Sequence, residues 1–295
     1  MTELTQSEKQ VIFSRLEKLL GAPAIDCFSV SGGYTTAIRI IVKLVDGRTV
    51  FAKVASDELT SLWLRDEYRV YRGLRADFMP ELLGWDDDDD RPILVLADLS
   101  KGEWSHSWSD DKIKQVLRTL ESVRKSKPPD AMPSLDDMRP DLASWKLVAA
   151  KPELFLALKL CSKQWLENAL PVLIGCDAGA DLSGSELIHL DVRSDNICFL
   201  GDRTVLVDWN WARIGNAELD AVAWAPSVTV ENGPSPETFL DADPNLVALI
   251  AGYWAYRAGM APPAPGSQVR ALQRRLLEVA LPWTAKLLNL PALDL

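Results

Sequence analysis

The hydrophobic period of this chain changes once decisively, and that change constrains the fold most. Up to about residue 97 the apolar residues fall mostly into short β-branched runs, whereas from Ser109 they recur at helical spacing. The first hundred residues open with an amphipathic helix over Thr5–Leu20, with Ser7 and Gln10 as a capping box and Gly21 as its stop. Strands are predicted at Cys27–Val30, Ala37–Val45 and Thr49–Ala55, with Asp46-Gly47 turning the last two. A helix follows over Asp57–Leu74, then strands Glu81–Trp85 and Pro92–Ala97 around the acidic turn Asp86–Asp90, which lacks the Gly and closing Glu of a calcium loop. The pattern predicts a small antiparallel sheet with one helix inserted after its third strand. Helices are expected at Ser109–Lys125, Asp141–Ala149, Pro152–Ile174, Ala217–Val228, Asn245–Ala258 and Ser267–Leu287. A compact β interruption at Glu186–Leu190, Ile197–Leu200 and Thr204–Asp208 divides them. The whole is α+β and built in two parts.

Composition removes several classes of function. At 295 residues with 47% hydrophobic content the chain buries a real core. Its net charge of −10 has the wrong sign for a protein that lives on nucleic-acid phosphates. The longest apolar run, Leu246–Tyr256, ends at Arg257 and is too short to cross a bilayer, and Met1–Gln10 is polar. Cys27, Cys161, Cys176 and Cys198 are scattered, and His106 and His189 are the only histidines, so neither a zinc site nor a disulfide framework is expected. These features fit a cytoplasmic protein with neither membrane nor nucleic acid as partner, a monomer or a homodimer.

The densest polar cluster sits in the β interruption, where His189, Asp191, Arg193, Asp195 and Asn196 follow one apolar strand and Asp208 ends another. An amide oxygen and a carboxylate held at rigid strand ends suit a hard divalent cation, and a further carboxylate left off the metal suits a proton acceptor.

His189-x-Asp191-x4-Asn196 with a distal Asp208 resembles the catalytic and metal-binding segments of kinases, most closely the aminoglycoside phosphotransferase and choline kinase branch. Val50–Ala55 looks like the strand carrying a phosphate-binding lysine, Lys53, and Glu67 like its ion-pair partner on the next helix. Ser31, Gly32 and Gly33 stand where a loop over the nucleotide phosphates is expected, and Leu96 and Asp98 where the last small-lobe strand enters an interlobe hinge. The resemblance implies a bilobal protein kinase-like fold. Its parts are a nucleotide-binding lobe over 1–97, a hinge over 98–102 and a helical lobe over 103–295 that carries the catalytic loop and acceptor site. It implies ATP, with GTP as the alternative, and Mg2+ held by Asn196 and Asp208. Asp191 would orient the acceptor hydroxyl, His189 would organise the loop, and Arg193 would pair with Asp191 or phosphate.

The chain departs from the branch at Leu190, where glycine is usual, and at Trp209-Asn210, which replaces the Phe-Gly of protein kinases. The missing activation segment argues against a protein-directed kinase, and the complete Lys–Asp–Asn–Asp set against a nucleotide-binding pseudokinase. From Ile214 to Tyr256 there is no Lys or Arg but six acidic residues, Glu231 among them, which suggests a cationic acceptor such as an aminoglycoside or amino alcohol. Trp209, Trp211 and Trp224 are the aromatic candidates to face it. Asp220 reads instead as a structural residue whose partners are backbone amides. The scaffold serves antibiotic-resistance enzymes and metabolic kinases alike.

Overall fold

A computed structural model of the protein describes residues 4–30, 35–87, 91–104, 107–263 and 267–294. Ser31, Gly32 and Gly33 lie outside the described residues, as does His106. The chain divides into two compact units, Met1–Ser105 with Ser194–Ala212, and His106–Arg193 with Arg213–Leu295. Residues 194–212 join the first unit through three backbone hydrogen bonds: Glu103 and Phe199 exchange two, and the Leu206 N–H donates to the Phe78 carbonyl.

The first unit begins with helix α1, Gln6–Leu20. Its cap is Thr5 with Glu8 rather than Ser7 with Gln10, because Thr5 takes the extended conformation and accepts from the Glu8 N–H. A five-stranded antiparallel sheet follows, built from β1 (Ala24–Ser29), β2 (Ile38–Leu44), β3 (Thr49–Val54), β4 (Leu82–Asp86) and β5 (Ile93–Ala97) in the order β1-β2-β3-β5-β4. Helix α2, Glu58–Gly73, intervenes between β3 and β4. Alternation along β3 puts Val50, Ala52 and Val54 in the core shared with Ile12 and Leu16 of α1, and turns Lys53 to the opposite face. Two of the five consecutive aspartates are not merely solvated: Asp86 pairs with Arg15 and Asp87 with Arg65. The unit closes on the hairpin β7 (Ile197–Leu200) and β8 (Arg203–Leu206).

The second unit is mainly helical, with α3 (Asp110–Lys125), short helices α4 (Arg139–Leu142), α5 (Trp145–Ala150) and α6 (Pro152–Leu156), then α7 (Lys163–Gly179), α8 (Glu218–Val230), α9 (Pro244–Ala258) and α10 (Val269–Leu287). The single helix expected over Pro152–Ile174 is broken, since Lys159 adopts a left-handed conformation and Ser162 caps a new helix by accepting from the Trp165 N–H. Leu173, Leu249 and Leu277, from α7, α9 and α10, are among the buried residues of one large core. A two-stranded ribbon, β6 (Glu186–Ile188) with β9 (Arg213–Gly215), lies beside it, and β9 was not expected from the sequence. A side chain at Gly215 would meet the Leu135 Cβ at 2.6 Å and the Leu182 carbonyl at 2.7 Å, so glycine alone admits this approach. No helix among the described residues is long and apolar enough to cross a membrane.

Candidate active site

In the first unit, Lys53 is 6% exposed and Glu67 2%. The Lys53 ammonium donates to Glu67 Oε2 at 2.7 Å and also to Asp208 Oδ1. Glu67 reaches it because Thr60, Leu64, Glu67 and Tyr71 recur every three or four residues along the buried face of α2. Burial opposes the charge on Lys53, but the nearby Asp208 and Glu67 carboxylates outweigh it and raise the pKa. Burial likewise pushes the Glu67 carboxyl up, against the pull of Lys53. One ammonium thus holds two carboxylates brought from residues 14 and 155 positions away.

Asp208 lies two residues beyond β8 and adopts φ 70°, ψ 56°, which ends the expected strand at Leu206. The following 3-10 turn, Trp209–Trp211, packs on α2, with the Trp211 ring 6.2 Å from that of Trp63. Trp209 is fully buried, donates its indole N–H to the Leu206 carbonyl and packs on Phe78. Its sequence assignment to acceptor binding is therefore corrected: no surface remains to touch a ligand, and the ring wedges the turn. Asn196, 4% exposed, ends a second 3-10 turn and accepts the Val207 N–H at its carbonyl, which ties the two metal candidates together through backbone. Leu96 is buried in β5. Asp98 accepts from the Ser100 N–H and hydroxyl; burial raises its pKa, but these bonds and one from Thr49 prevail and lower it.

In the second unit, the loop after β6 is held from below by Asp220. This carboxylate, 2% exposed, accepts the His189 N–H at Oδ2 and the Leu190 N–H at Oδ1, both at 2.7 Å. Burial lifts its pKa to about 6 in spite of both bonds. The amides it holds belong to residues 31 and 30 positions earlier, so the expected backbone partners exist but lie on another element. Leu190 takes φ 64°, the left-handed geometry that the usual glycine would adopt without strain. His189 is fully buried and its Nδ1 accepts the Asp191 N–H at 3.3 Å, a bond within the loop itself. Arg193 Nη2 stands 3.4 Å from Asp191 Oδ2, with both side chains about one-fifth exposed.

Trp224 is also fully buried, so its assignment to acceptor binding is corrected for the same reason. It backs Trp108 at 5.3 Å edge-on, while the Trp108 indole N–H donates to Glu231 Oε2 at 2.8 Å. Of the six acidic residues between Ile214 and Tyr256, Asp220 anchors the loop, Glu237 pairs with Lys286 and Asp243 caps α9. Sequence reasoning missed Trp108 as the partner of Glu231 and missed Tyr71 beside Glu67. An aromatic residue at helical spacing reads as core and carries no further signal.

A lysine bridging a helix glutamate and a strand-end aspartate, with a separate Asp191 on an anchored loop, defines a protein kinase-like phosphoryl-transfer fold. The model of the phosphotransferase enzyme family, APH, matches residues 29–260, and the chain belongs to that family as a small-molecule phosphotransferase. Spectinomycin phosphotransferase APH(9)-Ia, solved with ADP and spectinomycin, aligns at 11% identity over 96% of this chain and 98% of its own, TM-score 0.65. A choline/ethanolamine kinase family protein from Mesorhizobium loti aligns at 14% identity over 97% and 98%, TM-score 0.61. A macrolide 2'-phosphotransferase type I aligns at 14% identity over 98% and 95%, TM-score 0.52. A comparison with proteins of curated function finds no match.

Proposed function

We propose that the enzyme moves the γ-phosphoryl group of ATP to a hydroxyl of a small, amine-bearing molecule, with Mg2+, in the cytoplasm. The observation that carries this reading is the Lys53 ammonium bonded at once to Glu67 and Asp208. An otherwise costly buried charge is retained where phosphate charge would have to be met. Among the described residues no three His, Cys, Asp or Glu side chains are grouped to hold a metal. The pair Asn196 and Asp208 fits Mg2+ nonetheless, since that ion keeps several waters and takes further oxygens from substrate phosphates. Held there, it would supply positive charge to meet the negative charge that spreads over the phosphate oxygens during transfer.

Lys53 grips the α- and β-phosphates, and Glu67 holds the ammonium in place. Asp191 orients the acceptor hydroxyl and takes its proton as the oxygen bonds to the γ-phosphorus and the bond to ADP breaks. Arg193 orients the Asp191 carboxylate, and Asp220 with His189 fixes the backbone beneath it.

The amine preference rests on the corner of Trp108 and Glu231, where an indole ring and a carboxylate share one hydrogen bond. Acceptor-stimulated release of nucleoside diphosphate, assayed over aminoglycosides, amino alcohols and neutral sugars with ATP or GTP, tests the reading. Turnover with the first two classes and ATP is expected. Turnover with neutral sugars alone would refute the amine preference, and no turnover with any hydroxyl compound would refute the transfer itself. Glu231→Gln should raise the acceptor KM about tenfold, the loss of one charged contact, and leave the nucleotide KM unchanged.

A further inference from the structure

Beside the Lys53 cluster, within the same unit, Tyr71 carries a buried hydroxyl that no protein atom among the described residues satisfies. The residue is 1% exposed and stands four positions after Glu67 on α2, which places both on one helix face. α2 itself packs on the Trp209–Trp211 turn that follows Asp208. Burial, then the charges of Glu67 and Asp208, hold the phenol pKa well above its usual value. The hydroxyl thus keeps its proton and feels both carboxylates.

An orphaned hydroxyl is unfavourable in a protein interior, and phenylalanine would fill the same space without it. A hydrated cation beside Asp208 changes that balance. Magnesium retains water molecules, each a strong hydrogen-bond donor seeking an oxygen, and Tyr71 offers an uncommitted oxygen on the helix face next to the cluster.

We infer that Tyr71 is a positioning residue for the cation site: its hydroxyl oxygen accepts a hydrogen bond from a water of the magnesium ion held by Asp208 and Asn196. The inference rests on the assignment of those two residues to the metal, made under the proposed function. The water's second proton is left to face a phosphate or a carboxylate. Outer-shell partners of this kind tune metal affinity by about 10- to 100-fold.

The test uses the full chain, a non-hydrolysable ATP analogue as probe, and titration calorimetry at stepped Mg2+ concentrations and in EDTA. For Tyr71→Phe, the Mg2+ concentration giving half-maximal probe binding should rise about tenfold, while binding in EDTA stays within twofold of wild type. The melting temperature of the free variant should stay level or rise by about 2 °C, because the orphaned hydroxyl is gone. An unchanged Mg2+ dependence overturns the inference. So does an equal fall in binding with and without Mg2+, which would mark a packing role. If the wild-type protein binds the probe equally in Mg2+ and EDTA, the metal assignment of Asp208 and Asn196 fails, and this inference falls with it.

Discussion

The Lys53 cluster and the Asp191 loop each depend on a buried carboxylate, but they use it in opposite ways. In the first, Glu67 and Asp208 are answered by one ammonium, charge against charge. In the second, Asp220 is answered by two backbone amides and, among the described residues, by no cation at hydrogen-bond distance. Coulomb attraction falls slowly with distance, so the first arrangement tolerates small shifts and depends on net charge. Hydrogen bonds to two successive amides are directional, so the second fixes geometry. Under the proposed function the difference is a division of labour: one region meets spread charge, the other holds a single oxygen atom in place.

Substitutions break this comparison at several points. Asp191→Asn should have the largest effect, lowering kcat by about 10³-fold by removing the proton acceptor. Probe binding by calorimetry should stay within twofold; a parallel loss of binding would merge the two regions into one function. Lys53→Met leaves the buried Glu67 and the partly buried Asp208 with no ammonium between them. It should cost about 3–5 kcal/mol of stability in denaturant unfolding and abolish measurable nucleotide binding. A stable variant that still binds nucleotide would refute the charge-based half. Asp220→Asn offers one oxygen where two are used, so one amide loses its acceptor. A displacement of about 1 Å at Asp191 costs about 10²-fold, which steady-state assays should show in kcat with the nucleotide KM unchanged.

Asp220 also gives the two properties opposite pH dependence. Its folded pKa, about 6, lies above the ordinary aspartate value of 3.8. Its contribution to stability is therefore full below about pH 4 and is lost as pH rises through about 6. The loss amounts to about 3 kcal/mol, since each tenfold difference in proton affinity between the folded and unfolded chain is worth about 1.4 kcal/mol. Activity should move the other way, since the ionised carboxylate accepts both amides best. Melting curves and kcat measured over this range should cross in wild type, and both should flatten in Asp220→Asn.

Much of this architecture is legible in the sequence, and the reason differs by region. Lys53 and Glu67 stand on a strand–helix pair that is a weak signal alone. Their order relative to the His189–Asn196 motif and its family resemblance singles them out, with Asp208 after a short strand. The existence of most helices and strands follows from period. What escapes are features set by partners distant in sequence. Trp209 opens the loop after the metal candidate Asp208 and so reads as facing an acceptor, yet its ring is fully buried as a wedge beneath the turn. β9 is three residues long and depends on glycine contact with Leu135, which no local pattern encodes. The break in the helix after Leu156 depends on Lys159 entering a left-handed conformation that lysine does not advertise. Tyr71 reads as core, which its burial confirms, but the orphaned hydroxyl is visible only in three dimensions.

Leu190→Gly sharpens the comparison with the smallest expected change. The left-handed conformation costs a leucine about 1–2 kcal/mol, and glycine removes that strain. Glycine also loses the contact of a half-buried side chain packed on the helical core, worth on the order of 1 kcal/mol for partial burial, and enlarges the unfolded ensemble. These terms nearly cancel, so the melting temperature should move by only a few degrees. If Asp220 alone dictates the loop, its two acceptors remain in Leu190→Gly and kcat should stay within threefold. A tenfold fall in kcat at unchanged stability would mean that the leucine side chain, pressed into the core, helps aim Asp191. The geometric half of the comparison would then belong to packing as much as to a buried carboxylate.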